Sequence, residues 1–417
     1  MSLDQNNQIR ILRKHHAPHN TELEGSKDPT MEFLDSETSK YPALSEEYQK
    51  LADLFQGKLW HQLTKELIVF MTKGGRGRNL IDLYENFIIK FEAKINQLQF
   101  VQLIAVVAQQ YLPSRPLVES EVNEGIGFLK HIAEKRGRLG EDAYVLVQMS
   151  IADLLVQIGS KESLQQAKTL IDQVQVVVSQ PAGSDAVVNS SIFRVSCEYY
   201  KVTGPADEFY KSAVQYLAYT PLETLSDDTQ RRMAVDMSIS ALVAESVFNY
   251  GEVLAQPILE SLKQSEMPWL QDLLQIFSSG DIDGFSDLCT RNQQSFESQP
   301  ALVANLEVLR QKIALLSVMQ LVFSLPPDNR IIELSTIASS TRLNTDQAEW
   351  LLMRAMSKGL IKGKIDQVEQ VVHISWLKPR VLDSEQMSTL NEKLGVWKAN
   401  VDKTLLFIEA ETPELFQ

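Results

Sequence analysis

From residue 41 to about residue 262 the chain sets its apolar residues three and four apart, segment after segment, and almost nowhere two apart. A period near 3.6 predicts amphipathic helices, whereas strands need a period of two, so this stretch is confined to an all-helical fold. Helices are expected over 44–56, 59–71, 80–95, 100–111, 117–134, 144–158, 164–177, 186–202, 208–219, 230–248 and 252–262. Breakers fall between them at Gly74-Gly75, Gly77, Pro113, Pro116, Pro181, Gly183, Gly204-Pro205 and Pro221. Paired helices joined by short breaks cannot bury their apolar faces alone, which predicts a solenoid in which each pair covers the next. The tetratricopeptide consensus is not cleanly present, so the repeat is degenerate. The triplet Val176-Val177-Val178 reads as a helix end facing the core.

A different plan holds over 334–376. Leu334, Ile337 and Ala338 have helical spacing, and after a polar turn so do Ala348, Leu351, Leu352, Ala355 and Met356. Asn344 with Gln347 three residues later is a capping-box signature, and Lys358-Gly359 is a stop. Then Leu360-Ile361 and Val371-Val372-His373-Ile374 read as two strands, with the turn at Gly363 or at Asp366-Gln367. Helix, turn, helix, hairpin is a winged helix. Because a hairpin edge recruits other chains, Leu360, Ile361, Val371, Val372 and Ile374 are candidate partner-interface residues.

Between repeats and winged helix, Pro268-Trp269-Leu270 opens a helix ending at Gly280, a short helix follows Asp281, and a long one is expected over 301–323. Pro326-Pro327 then forms a hinge. A last helix is expected over 384–410. In it Met387, Leu390, Leu394, Trp397, Val401, Leu405 and Ile408 follow one another at intervals of 3, 4, 3, 4, 4 and 3, a heptad-like seam. Seven such side chains represent on the order of 10 to 20 kcal/mol of gross burial. Something must cover them, either the chain's own repeats or another polypeptide. The domain plan is thus a disordered tail over 1–40, a solenoid over 41–265, helices over 266–325, the winged helix over 326–382 and a terminal helix and tail over 383–417.

Charge bears on what the winged helix meets. The chain carries 40 Lys and Arg against 54 Asp and Glu, a net charge of −14. Its second helix sets Asp346 and Glu349 against Arg354 and Lys358, with no basic face of the kind phosphate contacts require. Protein partners are favoured over nucleic acid. No apolar run is long enough for a membrane span and the first residues lack a signal-peptide core, so residence in cytoplasm and nucleus is expected. Cys197 and Cys289 are the two cysteines, and Cys197 reads as a buried thiol.

No catalytic, cofactor or metal signature emerges. The histidines at 15, 16, 19, 61, 131 and 373 form no zinc motif, there is no Gly-x-Ser-x-Gly elbow, and Gly359 to Lys364 is one residue short of a phosphate loop. Asp281 and Asp283 lack the series of a calcium loop, and the 74–78 run is a basic solvated loop.

Several motifs carry a resemblance: Leu59-Trp60-His61-Gln62-Leu63-Thr64, Leu80 through Phe87, Phe248-Asn249-Tyr250-Gly251-Glu252, Gly359 through Gly363 with Ile365-Asp366, and Pro379-Arg380-Val381-Leu382-Asp383. With the order of helical repeats, winged helix and terminal helix, the sequence over about 44–410 resembles the PCI proteins of the proteasome lid, the COP9 signalosome and a translation initiation factor, with the lid as the nearest likeness. The resemblance implies a mainly α, non-catalytic scaffold without cofactor or small-molecule substrate. Its partners would be other PCI and lid subunits, winged helices side by side and terminal helices in one bundle.

Overall fold

The computed structural model describes residues 29–72, 79–110, 119–134, 139–178, 185–264, 267–326, 330–381 and 384–411. Contacts divide the chain into two compact units, Met1–Leu154 and Leu155–Gln417.

The N-terminal unit holds α1 (Pro29–Lys40), α2 (Ser45–Gln56), α3 (Trp60–Thr72), α4 (Asn79–Asn86), α5 (Gln97–Gln109), α6 (Glu119–Glu134) and most of α7 (Glu141–Ile158). Successive helices pack as hairpins, α1 on α2, α2 on α3 and α5 on α6. Helix α1 corrects the expected tail, of which residues 1–28 lie outside the described residues. Thr30, Leu34 and Glu37 are buried at spacings of four and three, one face of a helix. In PTMEFLDSETSK only Leu34 of the three is apolar, so packing rather than composition makes this helix and the pattern is hard to read.

The expected helix over 80–95 is two pieces, α4 and a 3-10 stretch Ile88–Lys94. Phe87, Ile88 and Phe91 are all fully buried, and the tighter turn brings Ile88 and Phe91 onto one side. The rings of Phe87 and Phe91 meet edge-on at 5.0 Å, and Trp60 stacks on Phe91 at 5.7 Å.

The C-terminal unit continues with α8 (Lys161–Val178), α9 (Ala186–Thr203), α10 (Ala206–Tyr219), α11 (Asp227–Val243) and the short α12 (Tyr250–Leu254). Then follow α13 (Trp269–Ser279), α14 (Ile282–Arg291), α15 (Gln293–Glu297), α16 (Pro300–Ala304) and α17 (Leu306–Ser324). Helix α8 does run to Val178, but Val176 is exposed rather than facing the core. The helix expected over 252–262 breaks at Pro257, whose ring admits no preceding helical turn, and that over 301–323 breaks at Asn305. Cys197 is buried among Phe209, Ala213 and Tyr216, and burial pushes its thiol up to about 12.

One apolar core runs without interruption from Tyr210 and Met237 in the repeats through Leu273, Phe277 and Leu316 to Leu352 and Ile374. Gly280, at φ 70, ends α13 where the chain presses on α17: an added Cβ would lie 2.9 Å from the Leu316 carbonyl carbon and from Ser317 N and Cα. These are backbone atoms that cannot swing aside. Gly280→Ala is expected to destabilise this unit by about 2–3 kcal/mol, read as a lower urea midpoint with unchanged slope.

The winged helix comprises β1 (Ile331–Glu333), α18 (Leu334–Thr341), α19 (Thr345–Ser357), β2 (Ile361–Asp366) and β3 (Val371–Leu377). The sheet is antiparallel in the order β1-β3-β2, with Ile332 and Ile365 both opposite Val372. Strand β1 went unforeseen because three residues are too few to show a period. The capping box holds, Gln347 Oε1 accepting from Asn344 N at 3.2 Å. The turn lies at 367–370, where Asp366 Oδ1 accepts from the N–H groups of Val368 and Glu369 at 3.0 and 3.1 Å. Gly363 instead occupies a bulge, with His373 O only 2.3 Å from where a Cβ would be.

Candidate interaction surface

The two strands and the last helix fare differently as interface candidates. Leu360, Ile361, Val372 and Ile374 are buried in the unit's own core and Val371 is half-buried. A correction follows: these apolar side chains hold the sheet on α17 and α19 rather than facing a partner. What the hairpin leaves open is the outer edge of β2, which is paired on one side only.

The seam is another matter. In α20 (Ser384–Glu411) every side chain whose exposure is described is exposed, and Met387, Leu390, Leu394, Trp397, Val401, Leu405 and Ile408 are 42–66% accessible. Val396, Leu406 and Phe407 are exposed as well, so apolar surface spreads around the helix. Nothing the described chain supplies covers this stripe.

The segment Arg380-Val381, which follows the sheet, is held by residues far apart in sequence. Arg380 donates to Gln320 Oε1 at 3.0 Å and to the Ser278 carbonyl, between α13 and α17. Val381 N donates to Asn249 Oδ1 at 3.2 Å, and a Cβ on Gly251 would stand 3.0 Å from Val381 O. Two motifs 130 residues apart therefore form one contact, and the bare glycine lets the segment at Val381 pass close over α12. Sequence spacing alone carried no signal of that meeting.

Beneath lies a polar knot. Lys312 on α17 is buried, and its ammonium donates to the carbonyls of Ala241, Leu242 and Ala244 at 2.8, 3.0 and 2.6 Å. These are the orphan acceptors at the end of α11. The rings of Tyr250 and Phe248 lie 5.2 and 5.7 Å from the same nitrogen. Burial pushes Lys312 down to about 7, opposed by Asp207 and Glu245 and reinforced by Lys358. Asp207 caps the following loop, accepting from Glu245 N at 3.1 Å and Ser246 N at 2.8 Å; burial raises its carboxyl, but the Ser246 and Glu245 donors outweigh that and hold it below the usual range. Lys358, at the end of α19, donates to Glu245 Oε2 at 3.2 Å. The knot thus ties the last repeat to the helix that packs under the sheet.

The outer face of α19, where a groove-reading winged helix would be basic, presents Trp350 at 72% exposure with Met353 beside it. Its two basic residues are engaged on their own chain, Lys358 as described and Arg354 with Gln311 Oε1. Among the described residues no group of three or more His, Cys, Asp or Glu could hold a metal, and no helix is long and apolar enough to cross a membrane. Asp281 serves as the N-cap of α14, accepting from Asp283 and Gly284 N–H at 3.0 Å each. The 74–78 loop and the histidines at 15, 16 and 19 lie outside the described residues.

Helical repeats that share a core with a three-stranded winged helix, followed by an uncovered terminal helix, define a PCI protein. The pattern described as the PCI domain matches residues 289–376, and that described as PSD13 N-terminal repeats matches residues 47–274. The 26S proteasome non-ATPase regulatory subunit 13 homolog B of Arabidopsis thaliana is 39% identical over 388 residues, 92% of this chain and 98% of that one. The 26S proteasome non-ATPase regulatory subunit 13 of Dictyostelium discoideum is 35% identical over 387 residues, again 92% and 98% of the two chains. The similarity to eukaryotic translation initiation factor 3 subunit M of Aspergillus clavatus, 27% over 198 residues, spans 48% of this chain and 41% of that one. The chain belongs to the family of 26S proteasome non-ATPase regulatory subunit 13.

Proposed function

We propose that the chain is a non-catalytic scaffold subunit of the 26S proteasome regulatory particle lid, working in cytoplasm and nucleus, where it supports assembly of the lid and so ubiquitin-dependent protein degradation. The observation that carries this reading is the uncovered seam of α20. A stripe of that size exposed on a free chain is an aggregation hazard, and in an assembly it is the means of joining. The open β2 edge and the Trp350 face offer further contacts to neighbouring subunits.

Membership of another PCI assembly, the COP9 signalosome or the initiation factor, is the rival reading; the match to the initiation-factor subunit spans less than half of this chain. Purification of the tagged chain from cells, washed at high salt, separates the possibilities. Proteasome lid subunits are expected to remain, because apolar burial survives salt. Signalosome or initiation-factor subunits in their place would contradict the proposal, as would a nucleic acid that leaves with the wash.

A further inference from the structure

Where α2 gives way to α3, the N-terminal unit keeps a lysine in a conformation that glycine adopts at lower cost. Lys58 is left-handed at φ 55, just beyond the helix end. The turn around it is locked, with Lys58 N donating to Phe55 O at 3.0 Å and Leu59 N to Leu54 O at 3.1 Å. Both side chains are exposed, Leu59 at 48%. They stand in the wall of a cavity of about 490 Å³ that Trp60, His61, Lys94 and Asn96 also line. Lys94 Nζ lies 4.6 Å from the centre of the Trp60 ring, which is itself fixed by its stack on Phe91.

The polar groups of these walls are mostly donors. Asn96 Oδ1 already accepts from Leu98 N at 2.9 Å as the cap of α5, so its amide N–H groups are the polarity that remains. No carboxylate lines the cavity, and among the described residues neither Lys58 nor Lys94 is joined to one. This holds in a chain whose acidic residues outnumber its basic ones by 54 to 40. Two cations without a counter-charge, with an exposed leucine beside Lys58, are complementary to an extended peptide whose carboxylates flank an apolar residue. A phosphate group fits less well: the walls hold no arginine fork, and the leucine would meet nothing.

We propose that this cavity docks an acidic segment of another polypeptide, with its carboxylates on Lys58 and Lys94 and an apolar side chain between them on Leu59. Exposed ion pairs are individually weak, so the apolar contact and the fixed placement of both lysines carry part of the affinity. The net charge of −14 repels acidic peptides from the rest of the chain, which confines such binding to this place. The surface belongs to the N-terminal unit and does not rest on the reading of the terminal helix.

Saturation-transfer NMR on the full-length chain, with the synthetic peptide acetyl-Gly-Glu-Asp-Leu-Glu-Asp-Gly-amide in excess, tests this. Transfer to the leucine methyls is expected, with a Kd on the order of 1 mM at low salt. Binding should weaken roughly fivefold at high salt and roughly threefold when the peptide's leucine is replaced by serine. Lys58→Glu with Lys94→Glu should weaken it by about tenfold, whereas Lys65→Glu with Lys90→Glu, an equal charge change at exposed positions outside the cavity, should leave it within about twofold. Carbodiimide coupling of the same peptide to the wild-type chain should join it to Lys58 or Lys94, which locates the site without any variant. The proposal is overturned if the peptide shows no transfer, if both charge reversals weaken it equally, if the serine peptide binds as well, or if only other lysines are coupled. Displacement by an equal concentration of inorganic phosphate also overturns it, assigning the cavity to a bare anion.

Discussion

Lys312→Met is expected to destabilise the C-terminal unit by about 2–4 kcal/mol at pH 8, although the new side chain is apolar and of similar length. The loss comes from what the amine leaves behind: the carbonyls of Ala241, Leu242 and Ala244 are all buried, and Lys312 Nζ is the shared donor to the three. Tyr250 Oη still reaches Ala241 O at 3.2 Å, which leaves two carbonyls bare. The effect should depend on pH. In the folded chain burial holds Lys312 at about 7, below its ordinary 10.5, so between those values the unfolded chain binds the extra proton. Wild-type stability therefore rises with pH across that window, and the Met variant lacks this contribution. Urea unfolding at pH 6.5 and pH 9.5 should show the gap between wild type and variant widening with pH. A gap that narrows would mean that the charged form, not the neutral amine, is the one the carbonyls select.

The second large effect concerns assembly rather than stability. Leu394→Asp with Trp397→Asp should leave the free chain as helical and as stable as before, because both side chains are already exposed at 51% and 66%. Incorporation into the assembly should fall by two decades or more, since half-exposed side chains of this size still have on the order of 3–5 kcal/mol between them to gain on burial. Truncation before Asp383 should do the same with helix content per residue nearly unchanged. Gel filtration of cell extract, comparing variant in the high-mass and free fractions, reads the outcome. Wild-type incorporation of either variant would show that the seam is idle.

What could be read from the sequence divides by range. The capping box of Asn344 and Gln347, the stop at Lys358-Gly359 and the seam from Met387 to Ile408 are local, and their physics lies within one or two helical turns. The interface role expected of Leu360, Ile361, Val372 and Ile374 was misplaced because an apolar strand face looks the same whether it meets its own helices or a neighbour. Only the packing of α17 and α19 decides that. Strand β1 owes its form to β3, forty residues away, and the helix at Pro29–Lys40 to its packing on α2, so neither shows an apolar period of its own. The joining of Asn249 and Gly251 to Val381, and of Lys312 to α11, were equally hidden: each needs two elements more than sixty residues apart to be placed first.

Hydrogen exchange of residues 387–408, measured in the isolated chain and again in the high-salt-stable assembly, tests most directly whether other polypeptides cover α20. A lone amphipathic helix opens readily, so its amides should exchange within seconds in the free chain and be protected by several orders of magnitude in the assembly. Equal protection in both states would mean that the chain covers its own seam, and equal exposure in both that the assembly is held together elsewhere; either contradicts the account.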